Sequence, residues 1–463
     1  MSASKTKDLN ITEGPLLKKI ILFAIPLILT GVLQQFYNAA DLMVVGMFEG
    51  EIALAAVGAT SSLTSLLTAL FMGLSVGAGV SVAHHIGANN HSGLKRVIHT
   101  AIPVAFILGI AVGTFGIIFA PDLLRMMYNP ETVIEQSTLY IRIIFLGLPA
   151  SMIYNYSAAM LRSAGDAKHP LVFLLISGFV NVVCNFILVT AFHMGVAGVA
   201  IATITSKYLS AIMILVFMMR QKDGMRFSFK DLCIDGEKLK KILYIGVPSG
   251  LQTCLFSLGN VMIQSSINSL GDTVMAGNAA AQNIDGFVHI SMVAIYHVSI
   301  TFVGQAVGAK AYRRIKTIVG YCVAVVSVIG ITLSAIILIF NRQLIGLYAP
   351  NNEEVYREAF KRMIIIFPLY FTCGIMDVLS AALRAMGKSF TAMIITLIGA
   401  CGVRVFIAKV VFNFYRTAEC IYVSFPLSYI ITTTCNVIFL TMLVKKAIRE
   451  TENPTEQAEL ERG

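Results

Sequence analysis

The sequence contains few charged residues for its length. Asp, Glu, Lys and Arg make up only 13% of its 463 residues, whereas 57% are hydrophobic. Soluble globular proteins carry roughly a quarter of charged residues, and so few charges cannot hide this many apolar side chains in a water-soluble core. The composition therefore excludes an assembly of soluble domains and predicts a polytopic membrane protein with most of its surface in lipid.

The sequence also lacks the motifs of disulfide, metal and nucleotide chemistry. Its eight cysteines show neither a CxxC pair nor the spacing of metal ligands, so we interpret them as small apolar packing residues. There is no GxxxxGK[ST] loop and no soluble domain that could carry a nucleotide site. We therefore expect no cofactor, no metal centre and no enzyme activity.

The sequence instead contains many long apolar runs. A helix needs about 20 apolar residues to cross a hydrocarbon core of about 30 Å. The runs predict an all-α fold with twelve transmembrane helices, at residues 16–47, 52–79, 97–120, 138–160, 170–192, 196–219, 240–268, 274–304, 317–340, 361–384, 389–413 and 421–444.

The basic residues cluster on one side of these spans. With twelve spans, both termini and the even-numbered connections share a side, and that side holds most Lys and Arg, among them Lys18, Lys95 and Arg384. The positive-inside rule places this side in the cytoplasm. We therefore expect a multi-pass cell-membrane protein with both termini cytoplasmic. The net charge of +10 then reflects topology, and we expect no nucleic-acid partner.

The two halves of the sequence repeat each other. Pro26 in KKIILFAIP recurs 222 positions later as Pro248 in KKILYIGVP, and Arg162 recurs at the same offset as Arg384. An offset of six helices keeps both copies in the same orientation, so we predict two six-helix lobes related by a parallel repeat, with a substrate cavity between them. The predicted organisation is an N-terminal lobe at 1–220, a cytoplasmic linker at 221–237, a C-terminal lobe at 238–446 and a polar cytoplasmic tail at 447–463.

Five segments carry a family resemblance through their order and spacing. They are IPLILTGVLQQFYNAADLMVVG in the first span, LRSAGDAKHP after the fourth, NVVCNFILV in the fifth, GVAGVAIAT opening the sixth and LRAMGKSF after the tenth. Through them the chain resembles a multidrug and toxic compound extrusion (MATE) transporter over nearly its whole length. The resemblance implies a cation-coupled exporter of amphipathic, often cationic, compounds.

Three acidic residues lie well inside predicted spans, namely Asp41, Asp285 and Asp377. Because a carboxylate is costly within a bilayer, each is a candidate functional residue. The helical period places four polar residues on the same face as Asp41: Thr30, Gln34, Tyr37 and Asn38. We predict that this face looks into protein or water. The alternative is a polar seam between helices, stabilised by about 1 kcal/mol per hydrogen bond.

The MATE resemblance implies that Asp41, Asn181, Asn185 and Thr203 form the cation-coupling site. Some family members carry Asp where this sequence has Asn185, so this site has one carboxylate fewer. Burial favours the protonated form of a lone carboxyl group, whereas surrounding amide and hydroxyl oxygens could hold sodium at Asp41. We favour the proton. The position that corresponds to Asp41 in the second half is Ile263, so coupling is expected to be asymmetric between the lobes.

A wider set of residues forms our prediction for substrate binding. Asp285 shares a helical face with Gln282 and His289, and Asp377 corresponds by the repeat to Asn155. These groups could equally belong to buried structural networks. The full set of candidates is Gln34, Tyr37, Asn38, Met152, Asn155, Asn260, Gln282, Asp285 and Asp377.

Pro26 is the predicted hinge of the first helix. Proline removes a backbone hydrogen bond and promotes a kink. We hypothesise that protonation of Asp41 changes the partners of its polar face and lets the helix bend at Pro26. A static kink is the alternative.

Together these features predict a secondary active multidrug exporter. It would exchange small amphipathic cations for protons or sodium by alternating access, with membrane lipid around it. One alternative is a lipid-linked saccharide flippase of the same superfamily, whose cavity would need several more buried Arg or Lys than this sequence indicates. The other is a membrane receptor without transport, against which the buried acid and the two-lobe repeat both argue.

Overall fold

The computed structural model describes residues 15–48, 50–126, 131–221, 223–350 and 352–452. Within these ranges the fold is made of helices, and no strand is present. The α-helices are α1 (Leu16–Phe48), α2 (Gly50–Gly87), α3 (His91–Met126), α4 (Glu131–Leu146), α5 (Leu148–Ser163), α6 (Lys168–Phe186), α7 (Gly195–Met219), α8 (Gly236–Asn268), α9 (Asp272–Gly308), α10 (Tyr312–Ile339), α11 (Asn341–Gly346), α12 (Glu353–Ile366), α13 (Phe371–Ala385), α14 (Ser389–Thr396), α15 (Val403–Phe406), α16 (Phe412–Phe414) and α17 (Ala418–Glu452).

The helices supply the predicted number of membrane spans. Across the described ranges, ten helical segments are long and apolar enough to cross a membrane. Two further pairs of helices pass only together, Val133–Leu146 with Leu148–Ser163 and Glu353–Leu369 with Phe371–Ala385, and are bent by 47° and 49°. Counting each bent pair as one span gives twelve, so the prediction of an all-α polytopic membrane protein is confirmed.

The two bends lie at corresponding points of the repeat and were not predicted. The first follows Gly147, with Pro149 at the start of α5, and the second follows the short turn Phe367–Leu369, which contains Pro368. Proline has no amide hydrogen and clashes with the preceding turn, so it favours a break between helices. The residues at the two breaks, Gly147 and Tyr370, are 223 positions apart, one more than the offset of the sequence repeat.

The chain divides into two compact units. One is Leu29–Gly250, and the other combines Met1–Ile28 with Leu251–Gly463. The divisions fall inside α1 and α8, shortly after Pro26 and Pro248. The lobe boundaries at 220 and 238 describe the sequence repeat and stay a prediction.

Close helix contacts in the unit Leu29–Gly250 occur at glycines. A Cβ at Gly109 of α3 would lie 2.5 Å from the Cα of Pro149, and one at Gly77 of α2 would lie 2.0 Å from the carbonyl oxygen of Ile242. Lipid chains are as apolar as leucine, so helix association in a membrane depends on such close packing. These glycines therefore allow α3 to pack closely against α5, and α2 against α8.

Close helix contacts in the second unit also occur at glycines, around α9. A Cβ at Gly277 would lie 2.8 Å from the backbone nitrogen of Ala359 on α12, and one at Gly374 of α13 would lie 2.8 Å from the Sδ atom of Met292. Both α12 and α13 thus pack closely against α9 at a glycine.

The predicted linker 221–237 is held against α3. The imidazole of His99 accepts a hydrogen bond from the backbone N–H of Ser228 at 3.0 Å and stacks on Phe227. Lys95 forms a salt bridge of 2.8 Å with Asp231, and this hydrogen-bonded contact lowers the pKa of Asp231 below its ordinary value. The described part of the linker, residues 223–237, therefore packs against α3 within the unit Leu29–Gly250.

Candidate functional site

The four residues predicted for the coupling site meet in the unit Leu29–Gly250. The carboxylate of Asp41 on α1 accepts a hydrogen bond of 2.5 Å from the amide nitrogen of Asn185 on α6. Its other oxygen lies 3.4 Å from the hydroxyl of Thr203 on α7, which donates to it. Asn181, one turn before Asn185, lies beside the same carboxylate. Helices distant in sequence thus converge on one carboxyl group.

Gly178 explains how α1 comes so close to α6. A Cβ at this position would lie 1.8 Å from the Cζ atom of Tyr37, so the tyrosine ring fills the space of any larger residue. The Tyr37 hydroxyl donates to the backbone carbonyl of Leu174 at 3.3 Å. One helical turn further along α1, Asp41 then reaches the two asparagines. Gly178 could not be identified from the sequence, because a glycine within an apolar run carries no signal of its partner.

The two asparagines present nitrogen atoms to Asp41. The Oδ1 atoms of Asn181 and Asn185 are buried and have no hydrogen-bond partner within the part of the chain that the structure describes. Amide N–H groups stabilise a carboxylate, whereas amide oxygens are ligands for a hard cation. As arranged here, the site offers donors to the carboxylate.

Two further residues act on Asp41. Lys207, one turn after Thr203 on α7, and Tyr140 of α4 both interact with it electrostatically. Lys207 lies within a predicted membrane span, where a charge is costly, and Asp41 is a carboxylate within its electrostatic range. Tyr140 was missed, because only the packing of α4 brings it near α1.

The other candidates in this unit are dispersed. Gln34 is exposed on α1, and Asn155 of α5 donates to a backbone carbonyl one turn earlier at 2.9 Å. Met152 was predicted to bind substrate, but its side chain has no exposed surface because it packs in the hydrophobic core. In this structure it is a packing residue. The side chain of Asn38 lies outside the described residues.

In the second unit Asp285 forms a buried ion pair. Its carboxylate lies 2.6 Å from the guanidinium of Arg362 on α12, and both side chains are buried. This pairing favours a structural network over the predicted substrate contact at Asp285. Gln282, on the same helix, is exposed, and Asn260 of α8 is half-buried.

Two more arginines are buried in this unit. Arg384 was counted from the sequence as a loop residue, but only 6% of it is exposed. It donates hydrogen bonds to Tyr296 and, at 2.6 Å, to Gln252. Arg404 donates to Ser428 at 2.8 Å, and its guanidinium lies 4.5–5.1 Å from the centres of three aromatic rings, as in cation–π contacts. The unit thus buries more basic side chains than the sequence indicated. This weakens the reason given above against a flippase.

Asp377 belongs to a cluster that the sequence did not predict. It lies on α13 one turn after Cys373, and His289 of α9 is close to both. One ligand atom from each side chain lies within 4.8 Å of the other two. Residues 289 and 373 are too far apart in the chain to form a recognisable metal motif, so only the packing of α9 against α13 reveals the cluster.

The comparisons with known proteins agree with this fold. The MatE family model matches residues 26–187 and again residues 248–410, one match in each half of the chain. The chain is 28% identical over 423 residues to the probable multidrug resistance protein YoeA of Bacillus subtilis (strain 168), covering 90% of this chain and 91% of that protein. It is 25% identical over 405 residues to the probable multidrug resistance protein NorM of Thermotoga maritima, covering 86% of each. A solved structure described as the outward-facing conformation of a multidrug resistance MATE family transporter of the MOP superfamily has a TM-score of 0.89 at 21% identity, covering 96% of this chain and 99% of that chain. The chain therefore belongs to the MATE family of multi-pass membrane multidrug transporters.

Proposed function

We propose that this protein exports small amphipathic cations in exchange for protons by alternating access, with Asp41 as the group that carries the proton. The proposal rests on the carboxyl group of Asp41, which accepts hydrogen bonds from side chains of both α6 and α7. The substrate class follows the relatives, which are named multidrug resistance proteins. The activity is transport and involves no chemical conversion of the substrate.

The surroundings of Asp41 support the proton over sodium. The nearby asparagines direct nitrogen atoms toward the carboxylate, whereas a sodium ion would need oxygen atoms around it. Lys207 adds a positive charge within electrostatic range of Asp41. This charge disfavours the binding of a sodium ion at the same site. A proton neutralises the carboxylate without requiring new ligands.

The proton gradient can supply the energy. One proton exchanged for one monovalent cation moves no net charge, so the proton concentration difference drives this exchange, with about 1.4 kcal/mol for each tenfold difference. The membrane potential adds energy only where net charge moves, about 2.3 kcal/mol per elementary charge per 100 mV. Exchange therefore needs no nucleotide hydrolysis.

Orientation and lobe organisation are part of the same proposal. The distribution of Lys and Arg supports a cytoplasmic location for both termini and for the linker 221–237. The repeat supports lobes at 1–220 and 238–446, the first of which contains the coupling group. The tail beyond residue 452 lies outside the described residues.

Efflux from vesicles tests the proposal directly. Ethidium export would be measured with imposed proton or sodium gradients for the wild type, Asp41→Asn and the control Asp122→Asn, which changes an exposed carboxylate on α3. We expect proton-driven efflux in the wild type and the control, and at least a tenfold loss in Asp41→Asn. Gradient-driven efflux that survives in Asp41→Asn, or wild-type efflux driven only by sodium, would contradict the proposal.

The buried arginines favour one second candidate, a lipid-linked saccharide flippase. Arg362 is paired with Asp285, and Asp377 interacts electrostatically with Arg384 and Arg404. One positive charge is therefore left in excess, which is little for a pyrophosphate group. The same vesicles, loaded with a fluorescent lipid-linked saccharide in place of ethidium, test this alternative, and its movement without any ethidium efflux would support the flippase.

A further inference from the structure

We propose that His289, Cys373 and Asp377 bind a borderline-soft divalent cation of the zinc class. This site lies in the unit that contains Leu251–Gly463 and shares no residue with the Asp41 site. It does not depend on the proposed function, since an ion could bind here whatever the protein transports.

The geometry brings three suitable ligand atoms together. Cys373 and Asp377 are four residues apart on α13 and therefore lie on one face of that helix, and His289 approaches from α9. The three ligand atoms lie within 4.8 Å of one another. Ligands held about 2.0–2.3 Å from a tetrahedral zinc ion lie about 3.5 Å apart. Side-chain rotations that move these ligand atoms by about 1 Å would therefore bring all three to coordination distance.

The backbone at this place is held by tight packing. A Cβ at Gly374 would lie 2.5 Å from Val326 Cγ2 and 2.8 Å from Met292 Sδ, so α13 contacts both α10 and α9 beside Cys373. Met292 lies three residues after His289, on the same side of α9. The close contact therefore fixes the positions from which Cys373 and His289 extend.

Polar groups surround the three side chains. Tyr429 of α17 interacts with the Cys373 thiol. Asp285 interacts electrostatically with His289 and is itself held by Arg362. A negative charge near a histidine favours metal binding, because it raises the basicity of the ring.

The charge balance decides which ions can bind. Arg384 and Arg404 interact electrostatically with Asp377 and oppose an added cation. The Cys373 thiol loses its proton to solvent as the sulfur–metal bond forms, so a divalent ion raises the charge of the site by one and not by two. Thiolate and imidazole prefer zinc-class ions over sodium, magnesium or calcium. Three protein ligands would leave one coordination position for water or for a donor atom of a substrate.

Metal titration of the full chain tests this site. Purified protein in detergent, freed of metal by chelation, would be titrated with Zn²⁺ by calorimetry and with Co²⁺ by absorption, where a thiolate-to-cobalt charge-transfer band reports the sulfur ligand. We expect one ion per chain with the thiolate band in the wild type. Cys373→Ser should lose the band and bind Zn²⁺ roughly 10–100-fold more weakly, and Asp377→Asn should show a similar loss of affinity.

Matched variants separate this site from other effects. Cys322→Ser changes another buried cysteine, on α10, and should leave binding and band unchanged. Asp41→Asn should keep metal binding even where transport is lost, which distinguishes failure of this proposal from failure of the proposed function. At the same Zn²⁺ concentration, the unfolding temperature should rise more for the wild type than for Cys373→Ser.

Either of two results would overturn the proposal. One is the absence of stoichiometric Zn²⁺ binding to the wild type. The other is a thiolate band that persists in Cys373→Ser. If that variant does not fold, Asp377→Asn decides in its place, because its side chain is nearly the same size. Unchanged Zn²⁺ affinity in Asp377→Asn would then refute the site.

Discussion

Two of the three intramembrane carboxylates, Asp41 and Asp285, differ in the charge of their partners. Asp41 is surrounded by neutral amides and a hydroxyl, with Lys207 at longer range. Asp285 is paired directly with Arg362. A carboxylate in a direct ion pair is held in its charged form, whereas one with neutral partners is free to gain and lose a proton. This difference supports the proposal that Asp41 is the coupling group and that Asp285 has a structural role.

A double-mutant comparison tests the structural role of the Asp285 pair. Replacing Arg362 by Met leaves the charge of Asp285 buried without its partner, and breaking a buried pair in this way costs about 3–5 kcal/mol. We expect Arg362→Met to lower the unfolding temperature in detergent strongly. The double variant with Asp285→Asn should recover most of that loss. A double variant as unstable as Arg362→Met would show that the two groups are not coupled.

At the scale of helices, the contact between α1 and α6 decides whether the coupling site assembles. Gly178→Ala would place a methyl group on the ring of Tyr37, so α1 must move away from α6 and Asp41 from its asparagines. We expect at least a tenfold loss of proton-driven ethidium efflux. Gly320→Ala is the control, because no atom lies within 4 Å of a Cβ at Gly320. Equal activity of both variants would show that close packing at Gly178 is not required.

The hinge hypothesis also belongs to the scale of a single helix. Helix α1 continues through Pro26 as one segment of 33 residues, and the two compact units divide just after this proline. If α1 bends here when Asp41 is protonated, Pro26→Ala should reduce proton-driven efflux at least tenfold. Pro248→Ala should have less effect, because the second half has Ile263 in place of the acid. Normal efflux by Pro26→Ala would remove the hinge from the mechanism.

At the scale of the whole molecule, the two halves have the same arrangement of helices but carry different polar residues. The MatE family model matches each half once, and both halves contain a bent fourth span. The first half carries the Asp41 site, whereas the second carries buried arginines and the cluster of His289, Cys373 and Asp377. Because of this asymmetry, we expect transport to be coupled to protons in the first half only.

The orientation of the whole molecule can be tested with a natural cysteine. Cys233 in the linker is exposed, whereas the other seven cysteines are buried or half-buried. If the linker is cytoplasmic, a membrane-impermeant maleimide should label inside-out vesicles and spare right-side-out vesicles. Cys233→Ser should abolish this labelling. Labelling of right-side-out vesicles that depends on Cys233 would reverse the predicted topology.

The sequence by itself determined the span number, the repeat and the place of the Asp41 site. A bilayer requires about 20 apolar residues per helix, so the spans are visible along the chain. Carboxylates are rare within such runs, so Asp41 stood out before any contact was known. The bends at Gly147 and Tyr370 were not predicted, because the apolar runs continue through them, although Pro149 and Pro368 beside them are signals of a break.

Only the tertiary structure decided which polar groups meet. The partnership of Asp41 with Lys207, the pair of Asp285 with Arg362 and the approach of His289 to Cys373 all join different helices. Helices in lipid choose their neighbours by close packing and by satisfying polar groups, and both depend on three-dimensional proximity. The apolar pattern fixes how long each helix is, and packing at positions such as Gly178 and Gly374 fixes what its polar side chains can do.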